Sequence, residues 1–290
     1  MTAPSFTRLA FAVSLALGPF VGACSLGQGE GSVSSDALFA HECWGAIDPS
    51  GNVRGDVYDL KPDFFAAIPY YKNKQLIRVQ RGNDIEEVSD GILVLIDDST
   101  KIRDAIAGMH TLDAGLGDAG DAGDLDAGDA GDAGDLDAGV SAPPSCKARD
   151  ADAGDGGDGG IAPLAPNTFQ VAIPAGVTPP GSPAVPPPDL LADPPIVHLA
   201  FFLHRSCHNQ NTVLYAVSGT MTFNSLFSGD PNESQGSQKL TEASFDVQVG
   251  DLRDVPLGHY AREIPCELQS NLKGHFRFYF ERGQPGQPFP

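Results

Sequence analysis

Residues 272–280 alternate without a fault. Leu272, Phe276, Phe278 and Phe280 fall on one side, Lys273, His275, Arg277 and Tyr279 on the other. Successive side chains leave a strand on opposite sides, so this period of two needs one face on a core and one in water. The same period runs through Ala243, Phe245, Val247 and Val249, and Val213, Tyr215, Val217, Met221 and Phe223 are expected to share a face. Further strands are expected over Val53–Leu60, Leu76–Gln80, Thr168–Ile173, Gly91–Asp97 and Ile196–Leu203, the last two apolar on both faces and so suited to covered positions. Ser99–Ala107, with Ile102 and Ile106 four apart, reads as the one short helix. Strands without intervening helices predict an all-β fold, an antiparallel sandwich or barrel of about eight or nine strands.

Composition then marks what lies outside that core. Residues 113–160 repeat Asp-Ala-Gly and hold 13 Asp, a large share of a net charge of −20. A segment with nothing to bury and a charge that repels itself is expected to stay disordered, a long acidic loop inserted in the fold. Calcium needs six to eight oxygens converging from fixed spacings. Counting from Asp124, the fifth position is Gly128 and the sixth Asp129, and no Glu closes the loop, so we expect no calcium site there. Acidic excess argues against a nucleic-acid partner, which requires clustered Lys and Arg. The Pro-rich residues 174–195 read as an extended connection.

At the N-terminus, Arg8 precedes an apolar stretch, Leu9–Ala23, broken by Gly18 and Pro19 and ending Val21-Gly22-Ala23-Cys24. The stretch is too short to span a bilayer and has the length of a signal peptide. An aliphatic residue, two small residues and a Cys after such a stretch resemble the lipobox of bacterial lipoproteins. That resemblance implies acylation of Cys24, with Ser25 favouring outer-membrane delivery; the alternative is ordinary secretion. The Asp-Ala-Gly repeats also resemble those of secreted myxobacterial proteins. Four cysteines remain, Cys43, Cys146, Cys207 and Cys266, expected to form two disulfides of unassigned pairing in an oxidising compartment. The chain then divides into a signal peptide (1–23), a lipidated flexible tether (24–37), one β domain (38–112 and 161–290) and the acidic insertion (113–160).

Residue constellations that carry chemistry are sparse. His204 and His208 flank Cys207, with His198 upstream, but a strand running into a polar loop would splay them, so no metal site is expected. Ser270 and Lys273 fit a Ser-x-x-Lys pattern by chance, since residues three apart on a strand point to opposite faces. Asp97 and Asp98 follow a strand, where catalytic carboxylates sit; the plainer reading is that Asp98 or Ser99 caps the helix. Phe64, Phe65, Tyr70 and Tyr71 would form a sugar or membrane platform if exposed; we expect core, with Tyr71 at the rim. Phe289 is expected to be pinned to the fold.

With no catalytic residues and no cofactor assigned, the expected function is a non-catalytic outer-membrane lipoprotein. Its β domain would bind an envelope protein or polysaccharide, or act structurally. Two alternatives stand beside it: a secreted hydrolase whose site assembles only in three dimensions, and a calcium-dependent surface adhesion module.

Overall fold

A computed structural model describes residues 29–82, 89–115, 164–174, 177–179, 195–204, 206, 207, 211–257, 259, 261, 263–282 and 289. The expected signal peptide and lipidation site, Cys24, with Cys146, the repeats from residue 116 on and most of the Pro-rich connection, lie outside them.

The architecture is the expected one: all-β and antiparallel. The elements are β1 (Gly29–Leu38), β2 (Ala46–Ile47), β3 (Val53–Arg54), β4 (Asp56–Leu60), β5 (Phe64–Pro69), β6 (Gln75–Gln80), β7 (Gly91–Ile96), α1 (Ser99–Gly115), β8 (Thr168–Gln170), β9 (Val197–Leu203), β10 (Thr212–Ser225), α2 (Gly236–Lys239), β11 (Leu240–Gly250) and β12 (Ser270–Tyr279). One sheet has the order β4-β1-β12-β11-β10-β9-β7-β6-β5, β8 adds to β10, and β2 and β3 pair alone. The edge strands β4 and β5 are consecutive in the chain, joined only by Lys61, Pro62 and Asp63. Four Cα steps reach roughly 15 Å at most, so the sheet must curl until its edges meet at that corner. The result is a half-barrel.

The concave side holds the core. Leu272, Phe276, Phe278 and Phe280 of the β12 row line it with Ala243, Phe245, Val247 and Val249 of β11, while Lys273, His275, Arg277 and Tyr279 face out. A buried cluster this continuous is the main stabilising term, at roughly 1.5–3 kcal/mol for each large apolar side chain. Phe65 stacks on Phe278 with centroids 5.7 Å apart, so β5 packs against β12 across the curl. Gly274 occupies the inward position between Leu272 and Phe276. A Cβ there would lie 2.5 Å from Cζ of Phe245, whose ring fills the space.

Two expectations are corrected here. Residues 29–37, read as tether, belong to β1, which pairs with β12 on one side and β4 on the other. Its inward row begins Gly29, Gly31, Val33, and a Cβ on Gly29 would meet Phe65 at 2.6 Å. Aromatic rings from β5 and β12 take the room that apolar side chains would use, which erases the alternation. In β10, Ala216 pairs Val249 and Ser218 pairs Gln248, leaving Val217 as an extra residue. That bulge reverses the facing. Leu214, Ala216, Met221 and Phe223 are in the core, whereas Val217 packs outside with Val255 and Ile264, and Tyr215 meets Phe289 at 6.3 Å.

The two ends of the curl are closed differently. At one end α1 packs Ile102 and Ile106 on the core, and Asp98 Oδ1 accepts from the N–H groups of Thr100 and Lys101 as its cap. At the other, a disulfide joins Cys43 to Cys207, Cα atoms 5.0 Å apart across 164 residues of sequence. Trp44, Tyr58 and Phe201 continue the seal edge to face. Cys266 is also disulfide-bonded.

Candidate functional site

At the α1 end, β7 terminates beside the start of β9. Asp97 follows β7, and His198 is the second residue of β9 on its outward row. Asp97 N donates to Ile196 O at 2.9 Å, which fixes the carboxylate against the imidazole. His198 Nε2 is 3.1 Å from Asp97 Oδ2, and its Nδ1 is 2.7 Å from Ala172 O. Both ring nitrogens thus face acceptor oxygens. Lys74 Nζ donates to Asp97 Oδ1 at 2.6 Å. Burial pushes the Asp97 carboxyl up, but the hydrogen bonds from Lys74 and His198 outweigh it and hold the group below its usual value. The triad is therefore a Lys–carboxylate–imidazole chain with the imidazole buried and the Lys half-exposed.

A second carboxylate–imidazole pair lies at the disulfide end. His41 Nε2 is 2.5 Å from Asp254 Oδ1, between the segment after β1 and the turn after β11. Burial raises the Asp254 carboxyl above its ordinary value, more than His41 lowers it. Asp251 beside it takes Arg253 through both Nε (2.9 Å) and Nη2 (2.7 Å).

His259 and His275 have partners of their own. His259 sits 2.5 Å from Glu263 on an exposed turn, and His275 Nδ1 is 3.0 Å from Ser32 Oγ on the polar outer face. Asp90 gathers the 204–206 loop, accepting from His204 N (2.8 Å), Ser206 N (3.2 Å) and Ser206 Oγ (2.7 Å). The Cys207 sulfur is committed to Cys43. His208 lies outside the described residues. Among the described residues no group of three His, Cys, Asp or Glu is placed to hold a metal.

Of the remaining sequence candidates, Asp97 and Asp98 divide the roles weighed for them: Asp98 caps the helix and Asp97 holds His198. Ser270 is buried and accepts from Phe39 N at 2.8 Å, while Lys273 projects outward toward Asp246, so the two are not neighbours. Phe64 and Phe65 are buried and Tyr71, 85% exposed, is at the rim as expected, but Tyr70, expected in the core, is 45% exposed because it lies in the turn beyond β5. Sequence reading did not find Lys74, Asp254 or His41, because the partners are 23 and 213 residues apart and no local pattern marks them. Arg78 was also missed. It lies on the outer side of β6 yet is 1% exposed, donating through Nε to Gln80 Oε1 at 2.8 Å with its guanidinium over the Phe64 ring. Burial lowers its pKa. The cavity beside it is about 10 Å³ and lined by Gln80, Ser89, Leu93 and Phe202, at the lower limit for a single water. No substrate-sized ligand fits there.

Compared with known protein families, with curated proteins and with solved structures, the chain matches none.

Proposed function

We propose that this chain is a lipid-tethered binding protein of the bacterial cell envelope, carried at Cys24 and presenting a disulfide-closed β domain. One observation carries the reading: the Cys43–Cys207 bond closes the core across 164 residues. Disulfides persist in the periplasm and at cell surfaces and are rare in the reducing cytosol. The scatter of the described histidines counts against a secreted hydrolase: His41, His198 and His259 each meet a different carboxylate and His275 meets Ser32, on separate parts of the fold. A partner of the domain would be an envelope protein or a polysaccharide.

The decisive experiment is Cys24→Ala with fractionation. The substitution is expected to move the protein from the detergent phase to the soluble periplasm or medium. Membrane association unchanged by the substitution would overturn the reading.

A further inference from the structure

The turn between β5 and β6 reads Tyr70-Tyr71-Lys72-Asn73-Lys74. It is a stiff tip. Lys72 and Asn73 both have φ 62°, and Tyr70 N donates to Lys74 O at 2.8 Å. Ser99 N donates to Asn73 O, and Lys74 is bound to Asp97, so the β6 side of the hairpin is fastened to the α1 end by two contacts. Tyr70 and Tyr71 project from it, and the Lys72 ammonium lies 5.7 Å from the Tyr71 ring centroid. Tyrosine and lysine side by side suit the boundary of a bilayer, where the ring enters the headgroup layer and the ammonium stays wet.

The chain outside the described residues says what covers this tip. Four residues, 25–28, separate Cys24 from Gly29. Fully extended, those five steps span roughly 17 Å. Gly29 lies beside Phe65 on β5. β4 is antiparallel to β1, with Leu60 opposite Val33, and β5 continues from β4 through three residues. β5 therefore runs in the direction in which the chain preceding Gly29 leaves the sheet. From Phe65 to the end of β5 at Pro69 is four residues, roughly 13 Å of strand, and the turn carrying Tyr70 and Tyr71 extends beyond it. A lipid on Cys24 and the tyrosine tip thus reach the same plane, from the same end of the fold.

We propose that the Tyr70–Tyr71 tip seats in the headgroup layer of the membrane that holds the lipid anchor, so that the domain stands on its α1 end. The proposal rests on the tethered reading given above. The tip adds a second contact to the anchor, which turns weak partitioning into a fixed orientation.

Two measurements test it. Purified Cys24→Ala protein is floated with phosphatidylethanolamine–phosphatidylglycerol vesicles, with and without Tyr70→Ser and Tyr71→Ser, folding being checked by circular dichroism. The double substitution is expected to lower the bound fraction at least five-fold. In the wild-type protein reconstituted into the same vesicles, amide exchange over residues 70–74 is expected to slow against protein in detergent-free solution. Equal flotation of the two proteins would overturn the proposal, as would exchange at the tip that vesicles leave unchanged. So would binding to soluble envelope polysaccharide that depends on the tip while vesicles are ignored. Mass spectrometry of the Cys24 peptide separates this from the tether itself. An unacylated Cys24 with tip-dependent flotation refutes the anchor and keeps the tip, whereas an acylated Cys24 without tip dependence does the reverse.

Discussion

Gly274 shows how little freedom single positions have on the concave face. A methyl group there would lie 2.3 Å from Ser32 O as well as against the Phe245 ring. Backbone oxygen cannot step aside without breaking the β1–β12 ladder, so Gly274→Ala is expected to destabilise the fold by about 1–3 kcal/mol. A urea titration giving an unchanged midpoint would contradict this. Two carboxylates should respond to pH in opposite senses. Asp97 has a folded pKa below its unfolded value, so its contribution is complete above about pH 4 and is lost as pH falls toward the folded pKa. Asp254 is raised, so the folded state favours its protonated form, and the stability it adds is lost as pH climbs from about 4 through the folded pKa. Asp97→Asn should reduce the acid-side loss of stability. Asp254→Asn should remove the decline just above pH 4. Urea midpoints between pH 2.5 and 6 for the three proteins check both signs, and parallel curves would refute them.

Among the elements, β1 is the one whose status changes most between sequence and structure. It lies between β4 and β12, and its outward Ser32 and Ser34 pair His275 and Lys273 in register. Backbone amides of β1 are accordingly expected to exchange as slowly as those of β12; exchange at the rate of a free peptide would mean that residues 29–38 are indeed a tether. The contrast with β11 and β12 shows what made elements legible. Strands that fill their own inward row, such as Phe276, Phe278 and Phe280, announce their period. A strand whose inward row is glycine, because Phe65 and Phe278 fill the space from elsewhere, announces nothing. The β10 bulge is a related case: the apolar residues at Val217 and Met221 were read correctly as buried, but one inserted residue sends them to opposite sides. Contacts between side chains distant in sequence, Asp97 with His198 and His41 with Asp254, had no local signature at all. The Asp98 cap was legible because capping is a matter of three adjacent residues.

For the molecule as a whole, Cys43–Cys207 ties the exit of β1 to the connection between β9 and β10, so it restrains both halves of the curled sheet. Replacing both cysteines by Ser is expected to lower stability by about 2–5 kcal/mol, read from thermal or urea unfolding. A loss below that range would place the closure of that end in the Trp44–Tyr58–Phe201 packing instead. With Cys266 also bonded, denatured and unreduced protein acylated at Cys24 is expected to show no free thiol, and unacylated protein one. Two or more would contradict the redox environment inferred for the chain.

The placement of β1 has a mechanical meaning. A pull on the chain ahead of Gly29 runs along the axis of a strand held on both sides, by six registered pairs to β12 and four to β4. Ladder hydrogen bonds lie across the strand, so such a load shears them together instead of unzipping them one at a time. Tension applied through the N-terminus therefore meets the sheet in its strongest direction.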